Sequence, residues 1–255
     1  NKVTLEVSQI PPIDLSRRLD YLIRYPHGCI EQTTSAVFPQ LYLDRLANLT
    51  PADLEQTREN ITNGIERIAL FQTPSGGFSY WPGETDAHEW STNYAGHFLL
   101  EADSHGYAIP AGVLAAWSDY QTERANAWYG AAHDTVLIQA YRLYTLALAR
   151  EPAYAAMNRL REVDDLPAVA RWRLAGAYAL SGNAGTAMSI IRGANVSIDA
   201  YDAPGDTFAS KVRDSAMVLE TLVQLGDSRA AVVARDISEA LTSDAGMSTQ
   251  TSAYA

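Results

Sequence analysis

The turn that decides the fold reads FQTPSGGFSYW, at residues 71–81, and it lies between two stretches of helical sequence. Its paired glycines, Gly76 and Gly77, permit a tight turn that is not helical, because glycine has no Cβ and adopts backbone conformations closed to other residues. The aromatic side chains around them can plug the gap between helical hairpins. The segment therefore predicts a compact turn packed against helices on both sides.

Helical periodicity extends outward from this turn over most of the chain. Its segments lie at residues 14–23, 30–46, 51–68, 90–105, 110–128, 134–150, 153–161, 167–180, 184–192, 212–225, 228–241 and 249–255. Short polar loops join them, so consecutive helices should be antiparallel neighbours. An all-α run of about twelve helices buries its apolar faces either by closing into an α/α toroid or by stacking into an open α-solenoid.

Composition excludes several classes of function. The chain has 255 residues and a formal net charge of −11, whereas nucleic acids and anionic membrane surfaces attract basic proteins. No apolar run reaches the roughly 20 residues that a transmembrane helix needs. The chain has a single cysteine, Cys29, so an internal disulfide is excluded. No cluster with metal-ligand spacing is evident, and we expect neither a metal nor a cofactor.

The single cysteine stands at the start of a helical segment, and Gln32 follows it by three residues. The helix dipole and the free N–H groups of a helix start acidify a thiol, and residues three apart share one helix face. Attack of the thiolate on the Gln32 amide, with loss of ammonia, would give an internal thioester. Two plainer interpretations remain open: Cys29 is a small buried hydrophobe, and Gln32 is an ordinary helix-surface residue.

The residues around this pair resemble a known motif. YPHGCIEQ, at residues 25–32, is similar to the Tyr-Pro-Tyr-Gly-Cys-x-Glu-Gln motif of α2-macroglobulins and complement thioester proteins, and the following residues 33–35 are similar to bacterial members. The turn at 71–81 resembles a turn of α/α-toroid proteins. Further segments, at 90–100, 139–143 and 213–217, also look like bacterial macroglobulin thioester domains, so the resemblance covers nearly the whole chain.

The resemblance implies a fold and a function. The fold of the family is an α/α toroid. The function is a conformational protease trap in which cleavage of a bait region elsewhere in the molecule exposes the Cys29–Gln32 thioester, which then acylates lysine amines of the attacking protease. The chain would be an endopeptidase inhibitor with a single-use thioester and not an enzyme. Its partners would be trapped proteases and neighbouring macroglobulin-like β domains, in the periplasm or at the surface of a bacterium.

The same resemblance assigns supporting roles to residues of the motif. Tyr25 would shield the thioester from water, and Gly28 belongs to the motif itself. Glu31 would support the loop by accepting backbone N–H bonds, although a carboxylate near a helix start also serves as a cap. His27 departs from the family, which usually has an aromatic residue there; we interpret it as an aromatic-like surface in preference to a proton donor.

Complement-type members of the family use a further histidine to pass the acyl group to hydroxyls. Four candidates exist here, His88, His97, His105 and His133. His133 lies at the sequence distance from Cys29 that fits such a relay best. However, it directly precedes the helix that contains residues 139–141, and it is closer to that helix than the complement histidine is. We therefore give His133 only a weak supporting role and expect a preference for amines over hydroxyls.

The resemblance also sets the expected domain boundaries. Residues 2–8 alternate apolar and polar side chains, and Pro11 and Pro12 then end the pattern. We therefore expect residues 1–12 to be a strand and linker belonging to an adjacent β domain. Residues 13–255 would form the toroid, with the last helix, at 249–255, truncated.

Three other functions compete with the trap. A toroid enzyme of the terpenoid-cyclase or prenyltransferase kind would need an aspartate-rich motif, and Asp164-Asp165 falls short of one. A Cys–His hydrolase would need a base held near Cys29, and no local signature supports it. A helical binding scaffold with an inert Cys29 is the third.

Overall fold

A computed structural model describes residues 23–130, 133–198, 207–242 and 247–255 of the chain. The expected N-terminal strand at residues 1–12 and the helical segment from Asp14 fall outside the described residues.

Twelve α-helices and a short 3₁₀-helix account for the regular structure of the described residues. The α-helices are α1 (Ile30–Val37), α2 (Leu43–Leu46), α3 (Pro51–Ala69), α4 (Glu89–Ser104), α5 (Val113–Ala127), α6 (His133–Leu148), α7 (Tyr154–Arg161), α8 (Ala168–Leu180), α9 (Ala184–Ile190), α10 (Lys211–Gln224), α11 (Ala230–Thr242) and α12 (Thr249–Tyr254). The 3₁₀-helix, Pro39–Leu41, lies between α1 and α2.

One predicted helix is interrupted. The periodicity predicts a continuous helix over residues 30–46, but α1 ends at Val37 and the 3₁₀-helix begins at Pro39. Proline cannot donate the helical hydrogen bond, and its ring clashes with the preceding turn. The apolar spacing continues past Pro39 because the short helices bury the same side of the chain, which is why periodicity alone missed the break.

The start of α3 forms as the sequence predicts. The Thr50 hydroxyl accepts the backbone N–H of Asp53 at 3.2 Å, and the Asp53 carboxylate accepts the backbone N–H of Thr50 at 3.0 Å. Pro51 occupies the first helical position, where a missing N–H costs nothing. This reciprocal cap fixes the direction in which α3 leaves the loop and packs on α1.

Six helices form a closed inner ring. In the order α1, α4, α6, α8, α10, α12 each helix contacts the next, and α12 contacts α1. The helices α3, α5, α7, α9 and α11 pack outside the ring, each against at least one inner helix. The described residues therefore form an α/α toroid, and the open solenoid is excluded. Inner and outer helices alternate along the chain, so the inner helices run parallel and their N-termini lie at one rim.

Charged and aromatic side chains fill the centre of the ring. The Arg173 guanidinium on α8, fully buried, lies 2.7 Å from a Glu220 carboxylate oxygen on α10 and 4.1 Å from the centre of the Tyr144 ring on α6. Burial alone would raise the pKa of Glu220, but Arg173 and His97 outweigh it and hold that pKa well below its usual range. The Tyr254 hydroxyl on α12 donates to the same Glu220 carboxylate oxygen at 2.9 Å.

The turn at residues 71–81 is compact, as its sequence predicts. The side-chain amide of Gln72 donates to the carbonyls of Gly76 at 3.0 Å and Val113 at 2.9 Å. Phe78 is fully buried beneath the turn. Gly76 has a φ of +96°, and a Cβ added there would lie 2.2 Å from the backbone carbonyl oxygen of Ala116 on α5. The turn thus depends on the absence of a side chain at Gly76.

This dependence can be measured by comparing two glycines. Gly83 also has a positive φ, +87°, but a Cβ there would meet nothing within 4 Å. Both alanine substitutions carry the conformational penalty of about 1–2 kcal/mol. Gly76→Ala adds a steric clash, which typically costs a further ~1–3 kcal/mol. Denaturant unfolding should therefore show a larger loss of stability for Gly76→Ala than for Gly83→Ala, and equal losses would contradict the packing described here.

Candidate functional site

Cys29 and Gln32 meet at the N-terminus of α1, on the rim where the inner helices begin. Cys29 is the N-cap residue, with an extended backbone (φ −70°, ψ 173°). Its backbone N–H donates to the side-chain oxygen of Gln32 at 3.2 Å, and the two residues form a reciprocal capping box. The Gln32 side chain therefore folds back over the first turn of the helix toward Cys29, as the spacing predicts.

Gly28 makes room for this arrangement. Its φ is +90°, and a Cβ placed on it would lie 2.1 Å from the Gln32 side-chain oxygen and 3.1 Å from the amide carbon. The Gln32 amide thus lies directly against the bare α-carbon of Gly28. Any other residue at position 28 would have to strain its own backbone and push the amide away from Cys29.

An arginine on α3 is hydrogen-bonded to the loop that precedes Cys29. The Arg67 guanidinium donates to the carbonyl oxygen of Gly28 at 2.9 Å and, through Nε, to the Thr33 hydroxyl at 3.3 Å. It also lies over the Phe71 ring, 5.7 Å from its centre. Arg67 therefore links the loop before Cys29 to the first turn of α1 and to the turn at 71–81.

The two members of the pair differ in exposure. Cys29 is only 3% exposed, whereas Gln32 is exposed. A cleft of about 160 Å³ opens beside Gln32, and its walls are Arg24, Tyr25, His27, Gln32, Ser35, Ala36, Thr249 and Ala253. A reagent in this cleft would meet the Gln32 side chain, while the sulfur stays covered.

Tyr25 and His27 form part of the cleft wall, beside Gln32. Tyr25 is 61% exposed and His27 is also exposed. Both side chains therefore lie on the solvent side of the cleft.

The sulfur of Cys29 has a close neighbour in Tyr80, at the end of the turn at 71–81. The Tyr80 carbonyl accepts the backbone N–H of Ile30 at 3.2 Å, which ties the turn to the start of α1. The nearby Cys29 side chain, together with burial and the charge of Glu31, raises the pKa of Tyr80 to about 12.

Glu31 points into the protein beneath the site. It is 5% exposed, and burial raises the pKa of its carboxyl, although the hydrogen bond from Ser35 acts in the opposite direction. The Ser35 hydroxyl lies 2.8 Å from the Glu31 carboxylate and 3.2 Å from the Tyr94 hydroxyl. We expected Glu31 to support the loop through backbone N–H bonds; its partner is the Ser35 hydroxyl, and the Gly28 carbonyl of the loop is held by Arg67.

The four candidate histidines occupy different environments. His133 begins α6, and its side chain lies outside the described part of the structure. His97 is 2% exposed and lies within 2.9 Å of the Tyr141 hydroxyl, inside the ring. His105 is the C-cap of α4, 2.8 Å from the Glu101 carbonyl. His88 caps the start of α4, and its ring lies 5.3 Å from that of Tyr80.

Two residues of this site were missed by sequence reasoning. Tyr80 was counted only as one of the aromatic residues that plug the turn, and its bond to the Ile30 N–H at the start of α1 depends on how the turn folds. Arg67 lies on α3 in no recognisable motif, and only the packing of α3 on α1 brings it to the loop. Neither residue leaves a local signal in the sequence.

Other kinds of site are not evident in the described residues. No group of three or more His, Cys, Asp or Glu side chains among them could hold a metal ion. None of the helices within residues 23–130, 133–198, 207–242 and 247–255 has the length and hydropathy to cross a membrane. Asp164 and Asp165 lie in an exposed turn between α7 and α8.

Residues 5–128 match the family model of the A-macroglobulin TED domain. The chain is 36% identical over 121 residues to the α2-macroglobulin of Escherichia coli (strain K12), an alignment that covers 44% of this chain and 7% of that protein. It is 30% identical over 172 residues to the α2-macroglobulin of Xylella fastidiosa (strain Temecula1), covering 63% of this chain and 10% of that protein. The chain therefore spans about a tenth or less of these curated relatives.

Structural similarity extends over nearly the whole chain. The crystal structure of Salmonella α2-macroglobulin reacted with methylamine superimposes with a TM-score of 0.82 and 26% identity, covering 97% of this chain and 17% of that one. Native E. coli α2-macroglobulin from domain MG7 to the C-terminus shares the fold with the same TM-score at 24% identity, covering 97% and 42%. Residues 5–128 are therefore similar to the TED domain of the A-macroglobulin family, and nearly the whole chain shares the fold of bacterial α2-macroglobulin structures.

Proposed function

We propose that Cys29 and Gln32 form an internal thioester that acylates lysine amines of an attacking protease, within a larger protease-trapping macroglobulin. The observation that carries the proposal is the geometry of the first turn of α1. The Gln32 amide is folded back onto the backbone N–H of Cys29 at 3.2 Å, in a space that exists only because residue 28 is glycine.

The thioester would form by attack of the Cys29 sulfur on the amide carbon of Gln32. The carbon–nitrogen bond breaks and ammonia leaves, which closes a ring across the first turn of the helix. The product is far more electrophilic than an amide, because its leaving group is a thiolate, with a reference thiol pKa of ~8.5. It is an activated acyl group of the kind used in covalent catalysis, but it reacts once and is not regenerated.

The unequal exposure of the pair suits a stored acylating group. With Cys29 3% exposed and Gln32 facing the cleft, a nucleophile would approach the acyl carbon from the cleft, and the thiolate would leave into the covered side. Exclusion of water protects a reactive group from hydrolysis. We propose that Tyr25 and His27 provide part of this cover.

The partners and the location follow from the family. Trypsin-activated E. coli α2-macroglobulin has been crystallised, which supports proteases as the partners of this chain. Macroglobulin-like β domains of the same polypeptide would hold the bait region, and residues 1–12 would be a strand and linker to one of them. Residues 13–255 would be the thioester domain. We place the whole protein in the periplasm or at the bacterial surface, as an inhibitor that needs no cofactor.

Intact mass tests the thioester. The chain should weigh less than its sequence by the mass of one ammonia, and the deficit should disappear when methylamine adds to Gln32. Cys29→Ser is the control, because it keeps the size of the side chain and should show the full sequence mass with no methylamine uptake. Full mass in the unsubstituted chain, with no uptake, would instead support a helical scaffold with an inert Cys29.

The role of Gly28 gives a second prediction. Gly28→Ala should fold but lose most of the mass deficit, because the added Cβ would displace the Gln32 amide that now lies 2.1 Å from its position. Gly106 has a similar φ, +85°, with open space around it, so Gly106→Ala serves as the matched control and should keep the deficit. A normal thioester in Gly28→Ala would contradict the geometry proposed here.

Nucleophile preference gives a third prediction. We expect methylamine to be incorporated faster than glycerol, because acyl transfer to hydroxyls requires an imidazole relay and we assign none. The assay is mass spectrometry of the chain after exposure to each reagent. His27→Tyr, which restores the usual family residue, should leave the methylamine rate unchanged. Faster glycerol uptake that is lost in His27→Tyr would show that His27 relays the acyl group.

A further inference from the structure

The peptide group between Gly28 and Cys29 is hydrogen-bonded at both of its polar atoms. Its N–H, which belongs to Cys29, donates to the side-chain oxygen of Gln32 at 3.2 Å. Its carbonyl oxygen, which belongs to Gly28, accepts from the Arg67 guanidinium at 2.9 Å. One planar amide therefore connects a positive charge to the oxygen of the group that would carry the acyl function.

We propose that this peptide group stabilises the oxyanion of acyl transfer. The backbone N–H of Cys29 would donate to the Gln32 oxygen as negative charge develops on it, and Arg67 would strengthen that donor through the Gly28 carbonyl. Only the N–H touches the reacting group, so Arg67 is a positioning residue. The inference rests on the thioester function proposed above.

The charge arises on the Gln32 oxygen in the course of a balanced step. An amine nitrogen attacks the acyl carbon of Gln32, and one electron pair of the carbon–oxygen double bond moves to the oxygen. The attacking nitrogen loses a proton to solvent. The double bond then re-forms, the carbon–sulfur bond breaks, and its electron pair passes to the sulfur of Cys29, which takes a proton from solvent. The products are an amide at Gln32 and a thiol at Cys29.

The geometry of the Gln32 amide bears on this step because closure and opening of the thioester share one intermediate. Closure begins at the amide and expels ammonia, and attack of ammonia on the thioester is the same path in reverse. The hydrogen bond from the Cys29 N–H is already present at the amide end of this path. At 3.2 Å it lies at the long end of the usual range for N–H···O bonds, so it can shorten as charge develops. Interactions that strengthen in the transition state lower the barrier.

Arg67 is held where it can strengthen this donor. A cation at a carbonyl oxygen draws electron density toward that oxygen and leaves the N–H of the same amide more polar, as in any chain of linked hydrogen bonds. The guanidinium stays charged at any ordinary pH. Its Nε donates to the buried Thr33 hydroxyl at 3.3 Å, and it lies over the Phe71 ring, 5.7 Å from its centre. These two contacts fix its direction toward Gly28.

The direct test is Arg67→Met, which keeps a long apolar stem over Phe71 and removes the charge. Release of the Cys29 thiol by methylamine should slow about tenfold, less than the roughly 10²–10³-fold loss expected when an oxyanion donor itself is removed, because Arg67 acts through the intervening amide. Arg67→Lys keeps a positive charge and should recover most of the rate. An unchanged rate in Arg67→Met would overturn the proposal.

Arg58→Met is the matched control for this substitution. Arg58 lies on the same helix, its side chain is 67% exposed, and it pairs with Glu55 one turn away. The rate of thiol release in Arg58→Met should equal that of the unsubstituted chain. If Arg58→Met and Arg67→Met slow the reaction equally, the effect belongs to the loss of any charge on this helix, and the role of Arg67 is excluded.

Spontaneous hydrolysis separates this role from a purely structural one. Water attacks the same acyl carbon and generates the same oxyanion, so Arg67→Met should also slow the release of thiol in buffer without amine, by a similar factor. If Arg67 only holds the loop in place, its loss would admit water to the acyl group, and hydrolysis would become faster. Faster hydrolysis in Arg67→Met would therefore contradict the proposal. Thermal unfolding verifies that each variant is folded at the assay temperature.

Intact mass distinguishes failure of this inference from failure of the thioester itself. An unsubstituted chain without the ammonia deficit would overturn both. A deficit there, with unchanged rates in Arg67→Met, would overturn the role of Arg67 alone. If Arg67→Met folds but shows no deficit, closure depends on residue 67, and Arg67→Lys decides the cause: a restored deficit supports the role of the charge, and a missing one rules it out.

Discussion

The ion pair between Arg173 and Glu220 is the interaction on which the closed ring depends. It lies where the inner helices converge: Arg173 is on α8, Glu220 on α10, and the Tyr254 hydroxyl on α12 donates to the same carboxylate. A fully buried arginine is costly unless a carboxylate satisfies its charge, so each of these helices is held at the distance that the pair requires. Tyr254 then packs against Phe38 at the end of α1, which completes the ring.

Ring closure determines what surrounds Cys29 and Gln32 at the rim where the inner helices begin. Because the inner helices are parallel, the first turn of α1 faces solvent at the same end as the starts of α4 and α12. α12 supplies one wall of the cleft beside Gln32, and the turn before α4 supplies the Tyr80 carbonyl that accepts the Ile30 N–H, next to Cys29. The two sides of the pair are thus covered by elements that are distant in sequence, and the difference in exposure between Cys29 and Gln32 follows from the toroid as a whole.

The features that could be predicted from the sequence are those that depend on residues close together along the chain. The helix starts at Thr50 and Pro51, the turn at Gly76 and the approach of Gln32 to Cys29 all depend on a few neighbouring residues, and all formed as expected. The break at Pro39 was missed because the apolar spacing runs through it.

Contacts between elements that are distant in sequence could not be predicted. Arg67, Tyr80, Arg173 and Glu220 carry no signal of their own, because arginine, tyrosine and glutamate are ordinary residues of a solvated helix face. Only packing shows that Arg67 holds the Gly28 carbonyl and that Arg173 is fully buried. His97 likewise appeared as one of several candidate relays, and the structure places it inside the ring, against Tyr141.

The central claim is that the Cys29 sulfur is held in a thioester with Gln32, and that an amine releases it as a free thiol. Titration of the thiol in denaturant tests it most directly, since the chain contains one cysteine and the readout has no background from others. The account predicts little or no free thiol before treatment and one thiol per chain after methylamine. One free thiol per chain both before and after methylamine would contradict it.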